Sequence, residues 1–108
     1  MGLTKTDNFT IEQNELAAFA KALGHPARVA IIEYLSTQQS CVCGSIVEAI
    51  PLAQATVSQH LKELKNAGLI QGNIEGNSIC YCLNPEKWKK FKQMLEPTFT
   101  HIEQPVCC

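Results

Sequence analysis

Gln54-Ala55-Thr56-Val57-Ser58-Gln59-His60-Leu61-Lys62-Glu63-Leu64-Lys65-Asn66-Ala67-Gly68-Leu69-Ile70 is the stretch on which the reading of the fold turns. Val57, Leu61 and Leu64 recur at the spacing of one helix face, while Ser58, Gln59, Lys62 and Lys65 point away from them. Gly68 suits the residue that closes such a helix, so the pattern predicts a helix from about Gln54 to Ala67. Past Gly68 the period changes to two. Leu69 to Ile74 and Ser78 to Leu83 read as strands, joined by Glu75-Gly76-Asn77, a short connection of hairpin type. Upstream, Pro51 to Ala53 reads as a turn. Ile46, Val47 and Ile50 predict a short helix over Cys43 to Ile50 that Pro51 cannot continue.

Further out, Thr10 and Gln13 have capping-box spacing, and Leu16, Phe19, Ala20 and Leu23 follow at helical intervals. Gly24 and His25 interrupt that helix, and Pro26 suits the first position of the next, with Val29, Ile32 and Leu35, extended by Ile31, as its predicted apolar face. The polar stretch Ser36 to Gln39 ends it. Near the other end, Asn84 and Pro85 cap and open a last helix with Trp88, Phe91 and Leu95 on one side. Pro97 is expected to end or kink it, leaving a flexible cysteine-containing tail from about residue 97. Short helix, tight turn, longer helix and two-stranded hairpin is the order of a winged helix-turn-helix. The expected fold is therefore mainly α with a small β-hairpin, in one domain over 1–108.

In such a motif the longer helix enters the major groove, and its outward polar residues meet base edges and phosphates. Gln54, Thr56, Ser58, Gln59, Lys62 and Lys65 are the candidates: glutamine can bond adenine in two places, and lysine serves phosphate or guanine. His60 either contacts DNA or sits against the turn as a hydrogen-bonded helix residue. The hairpin stretch 72–78 carries no arginine and includes an acid, which leaves Asn73 and Asn77 as its candidates and predicts a shallow salt dependence of binding. The formal charge of the 108 residues is -1, so any DNA contact rests on local charge rather than on a globally basic chain. No apolar run is long enough to span a membrane, and the start lacks the layout of a secretory signal. The expected location is cytoplasmic, with no membrane partner.

Three segments resemble the ArsR/SmtB family of bacterial repressors in order and spacing: Ala22-Leu23-Gly24-His25-Pro26-Ala27-Arg28, Thr56-Val57-Ser58-Gln59-His60-Leu61-Lys62-Glu63-Leu64 and Ala67-Gly68-Leu69-Ile70. The resemblance runs from about Leu16 to Leu83. It implies a homodimer whose first and last helices form the seam, each subunit presenting one recognition helix to double-stranded operator DNA with two-fold symmetry. It also places Arg28 where the family motif has an arginine, tying the second helix to its surroundings or touching phosphate.

The six cysteines fall in close pairs: Cys41 with Cys43, Cys80 with Cys82, and Cys107 with Cys108. Without an export signal, and with enough apolar residues to fold unaided, reduced working thiols are the expected state, and such pairing points to soft-metal or redox chemistry. Cys41 and Cys43, at i and i+2, share a side only in an extended segment, so one ion gripping both favours non-helical backbone there. Cys41-Val42-Cys43 is similar to the arsenic-responsive branch of the family, in which thiolates at this helix bind trivalent arsenic or antimony and release DNA. In that branch a third cysteine commonly follows where this chain has Ile46. A third thiolate could come from Cys107 or Cys108, since the stretch from Leu95 to Cys107, if extended, spans roughly 40 Å; the vicinal pair reads nearly as well as a frayed end with incidental thiols. Cys80 and Cys82 could form an additional soft-metal or oxidisable pair, though small residues packed beneath a helix is the simpler account.

The expectation is a repressor, not an enzyme, with no required cofactor and with As(III) or Sb(III) as inducer. A repressor of the same fold that senses oxidant or persulfide is the alternative. A thiol enzyme fits poorly, since there is no Cys-x-x-Cys and no phosphate-cradling loop. A winged helix used only for protein contacts is the third class.

Overall fold

The computed structural model describes residues 8–44 and 46–104. Its elements are α1 (Ile11–Leu23), α2 (Pro26–Ser36), β1 (Val42–Cys43), α3 (Ile46–Ala49), α4 (Gln54–Asn66), β2 (Ile70–Glu75), β3 (Ser78–Leu83) and α5 (Pro85–Ile102). The winged helix-turn-helix is α3, the turn, α4 and the β2–β3 hairpin. Thr10 caps α1 by accepting from the Gln13 N–H, and the Gln13 side chain accepts from the Thr10 N–H, completing the capping box. Pro26 opens α2 as expected, with a cap the sequence did not suggest: His25 Nδ1 accepts from the Ala27 N–H at 3.0 Å.

The core lies where α1, α2, α3 and α4 meet the sheet. Ile31, Val57, Leu64 and Leu69 are completely buried, with Phe19, Ile46, Ile50 and Ile70 around them. Burying side chains of this kind contributes about 1.5–3 kcal/mol each. The inward face of α2 is Ala27, Ile31 and Leu35, at i, i+4 and i+8. Val29, expected inward, is 39% exposed.

Three further expectations are corrected. First, the sheet has three strands in the order β1-β3-β2 rather than two, because the segment ahead of α3 adds to the outer edge of the hairpin. Val42 pairs with Tyr81 and Cys43 with Cys80, antiparallel. Second, α3 begins at Ile46 and not at Cys43, since those residues are in a strand and Gly44 turns with φ 85°. Third, α5 continues through Pro97 to Ile102. A proline inside a helix forfeits one N–H bond, but the helix is not broken here. The hairpin connection is tighter than expected: Glu75 pairs with Ser78, leaving Gly76 and Asn77 as the turn, with Gly76 at φ 63°.

Although α5 is 18 residues long, it has no buried residue. It touches α1 through the Phe19 and Phe91 rings, 5.4 Å apart, and a Lys90–Glu15 ion pair at 2.8 Å. Trp88 Nε1 donates to the Leu69 carbonyl at 3.0 Å, fixing the start of the helix to the wing base. The radius of gyration, 16.3 Å, exceeds the about 13 Å of a compact chain of this length, as a helix projecting from the body requires.

Candidate functional site

The outward face of α4 is set by its inward one. With Val57, Leu61 and Leu64 in the core, Gln54, Thr56, Ser58, Gln59, Lys62 and Lys65 are all exposed. Gln59 Nε2 donates to Glu63 Oε2 at 3.1 Å, so the carboxylate holds the amide in one orientation on the exposed face. Lys65 leans toward β2: a Cβ at Gly72 would stand 3.4 Å from its Nζ and 3.3 Å from the Tyr81 ring. The absence of a side chain at Gly72 therefore gives the recognition helix and wing room to approach. Ala53, the residue before α4, makes no side-chain cap, so the N–H groups of the first turn have no such partner. Asn73 and Asn77 are exposed on the wing, together with the cross-strand neighbours Ile74 and Ile79.

His60 does not share that face. It is 8% exposed, and the hydrogen-bonded alternative describes it: its Nδ1 accepts from Arg28 Nε at 3.1 Å, with the His25 ring 4.4 Å away. The signal was in the sequence, because position 60 lies at i+3 from Val57 and i−4 from Leu64, inside the apolar stripe. Arg28 also donates through Nη1 to the Ala22 carbonyl at 2.9 Å, so one guanidinium joins the end of α1, α2 and the middle of α4. Both bonds tie α2 to its surroundings, one of the two places the resemblance offered for this arginine.

This contact has a pH consequence. Burial, then the neighbouring His25 and Arg28 charges, push the His60 pKa below its ordinary value. Below about pH 6.5 the unfolded chain takes up a proton that folded His60 resists, so stability falls on acidification and rises again toward neutrality. The charged and titratable groups that act on His60 are His25 and Arg28. Thermal melts from pH 7.5 to 5 should show a steeper loss for the wild type than for His60→Gln. Equal slopes would remove His60 from the account.

The second constellation is made of sulfur. Cys41 pairs with Cys82 and Cys43 with Cys80, as two disulfides whose Cα atoms are 4.5 and 4.0 Å apart. Alternation puts all four on one face of the β1–β3 ribbon, the other face giving Val42, Tyr81 and Leu83 to the core. The expectation that Cys80 and Cys82 merely pack beneath a helix is corrected: they face Cys41 and Cys43. So paired, these sulfurs are not ligands, since a disulfide sulfur does not bind a metal as a thiolate does. Accordingly, among the described residues no group of three His, Cys, Asp or Glu stands ready to hold a metal ion in this state. An open depression of about 300 Å³, bordered by Leu35, Gln38, Ser40, Cys41 and Cys82, gives solvent access beside one pair. Cys107 and Cys108 lie outside the described residues. No helix among the described residues is long and apolar enough to cross a membrane.

The profile of the family described as bacterial regulatory protein, arsR family, matches residues 25–71. The HTH-type transcriptional repressor SmtB of Mycobacterium tuberculosis is 43% identical over 63 residues, which are 58% of this chain and 46% of that protein, so the match spans less than half of that relative's length. The arsenical resistance operon repressor of Staphylococcus xylosus is 33% identical over 93 residues, 86% of this chain and 88% of that one. Among solved structures, the homodimeric winged helix-turn-helix DNA-binding domain of Mb0332 from Mycobacterium bovis superposes with a TM-score of 0.66 at 22% identity, covering 99% of this chain and 97% of that one.

Proposed function

Because the chain belongs to the ArsR family of bacterial regulatory proteins, DNA-binding transcriptional regulators rather than enzymes, we propose that it is a homodimeric repressor released from operator DNA when trivalent arsenic or antimony binds the thiolates of Cys41 and Cys43. The observation that carries this reading is the place of those cysteines. They share one side of an extended segment that ends three positions ahead of Ile46, the start of α3. A ligand gripping both sulfurs acts on the lead-in to the helix that braces α4. Because the segment is already extended, the ligand need not unwind a helix; it need only alter how the segment sits against its neighbours.

DNA reading is assigned to Gln54, Thr56, Ser58, Gln59, Lys62 and Lys65 in the major groove, with Asn73 and Asn77 at the wing. The dimer reading draws on α5, an amphipathic helix without a buried residue, and on the apolar groove along it at Trp88, Phe91, Leu95 and Phe99. A second copy covering this face would bring two recognition helices to two half-sites. The choice of arsenic or antimony draws on the Cys-Val-Cys spacing and on the relative named as an arsenical resistance operon repressor.

One observation favours a second reading. The four cysteines stand as two cross-strand disulfides, which is the product a thiol redox sensor would form. In that case peroxide supplies the oxidant: each thiol pair gives up two protons and two electrons, and the O–O bond is reduced to water.

The two readings separate on one gel. The full chain, on a DNA fragment obtained by in vitro selection against it, is titrated with arsenite in excess reductant and separately with peroxide without reductant. Release by arsenite under full reduction is the expected result. Release by peroxide alone transfers the function to the redox reading, and failure to recover any sequence-specific fragment overturns the repressor.

A further inference from the structure

A trivalent arsenic centre that exchanges all its hydroxyls needs three thiols, and the segment ahead of α3 offers only Cys41 and Cys43; position 46 is isoleucine. We infer that the wing strand β3 supplies what is missing, Cys80 and Cys82 facing Cys41 and Cys43 across the β1–β3 pairing and completing the inducer site. This rests on the reading that Cys41 and Cys43 bind a trivalent thiophile, and it assigns to that site ligands from a different element of the fold.

The geometry supports the assignment through the backbone. Cys43 and Cys80 are direct partners in the strand register, and Cys41 and Cys82 continue the same face one pleat on. Cα separations of 4.0 and 4.5 Å are those of opposed residues whose side chains are in contact. Successive same-face residues are about 7 Å apart along a strand, so either cross-strand couple has a third sulfur within side-chain reach. Cys80 is 1% exposed while Cys43 is exposed above it. The deepest sulfur is thus shielded and the outermost accessible, an arrangement suited to capture from solvent followed by enclosure.

A dithiol reductant frees the thiols: each disulfide takes up two electrons and two protons, and the reductant is itself oxidised to a disulfide. Arsenous acid then exchanges three As–OH bonds for three As–S bonds, releasing three waters, with arsenic remaining trivalent and no electron transferred. The consequence is mechanical. A centre held by β1 and β3 together ties the wing to the lead-in of α3, so the two parts that must adjust independently to DNA become one.

The test uses the number of thiols each probe demands. Arsenite takes three; phenylarsine oxide, with one valence blocked by carbon, takes two. On the reduced full chain, Cys80→Ser, Cys82→Ser should still bind phenylarsine oxide, through Cys41 and Cys43, while its affinity for arsenite falls roughly 100-fold, the loss expected when an intramolecular ligand is removed. Arsenic X-ray absorption should count three sulfurs in the wild type and fewer in the variant. Cys80→Ala, Cys82→Ala repeats the measurement without burying a hydroxyl, and circular dichroism shows that each variant is folded. Three sulfurs and unweakened arsenite binding in both wing variants would overturn the proposal, and loss of the third sulfur in Cys107→Ser, Cys108→Ser instead would do the same. If arsenite releases Cys41→Ser, Cys43→Ser from DNA at the concentration that releases the wild type, the underlying reading of the site fails, a result distinguishable from failure of the wing assignment alone.

Discussion

The Cys41→Ser, Cys43→Ser double variant should remain on its operator at arsenite concentrations that strip the wild type, with the half-releasing concentration raised at least 100-fold. The magnitude follows from what release requires. Moving an equilibrium from about 1:99 to 99:1 needs a ligand that binds one state roughly 10⁴-fold more tightly than the other. Serine hydroxyls are hard oxygen donors and poor partners for a thiophilic centre, so the variant loses that differential affinity. Fluorescence anisotropy on labelled operator, each protein normalised to its own affinity without arsenite, measures the shift. A change below threefold would separate these sulfurs from the output.

Arg28→Ala should cost about 3 kcal/mol of folding stability, far more than a surface arginine contributes. Its guanidinium makes two bonds, to the Ala22 carbonyl and to His60 Nδ1, and hydrogen bonds to charged groups are each worth about 1.5–3 kcal/mol. His60 is almost fully buried, so its ring nitrogen has little water to replace the lost donor. Arg28→Lys should recover less than half, because a single ammonium cannot serve two acceptors in the planar fork that a guanidinium presents. Urea denaturation with an unchanged slope is the measurement. A loss under about 0.5 kcal/mol would return Arg28 to the class of solvated cations.

Much of the architecture was legible in the residues. Val57, Leu61 and Leu64 fixed the inner face of α4, Thr10 and Gln13 the start of α1, and Gly68 the stop before the wing; each is a local signal that tertiary contacts reinforce. The face of α2 was less determined. In Pro26–Ser36 apolar residues occupy most of the circumference, and the choice of Ile31 over Val29 comes from what packs against it. The strand β1 had no readable period, since two residues show no alternation and the segment becomes a strand only through its pairing with β3. For the same reason the meeting of Cys80 and Cys82 with Cys41 and Cys43 was hidden: it depends on a contact across 37 to 41 positions that no spacing along the chain expresses. Gln59 and Lys62 were identified as outward residues, but not the Glu63 carboxylate that orients the glutamine.

The tight reversal at Gly76 and Asn77 has a bearing on inheritance as well as on shape. The offset between β2 and β3 is counted from that corner, and strands alternate sides at every step. One residue gained or lost there shifts β3 against β2 by a step, and if β3 moves with it, its two sulfurs no longer meet Cys41 and Cys43 while every cysteine codon stays intact. Loss of responsiveness can thus arise from an insertion or deletion that a search for damaged cysteines would overlook.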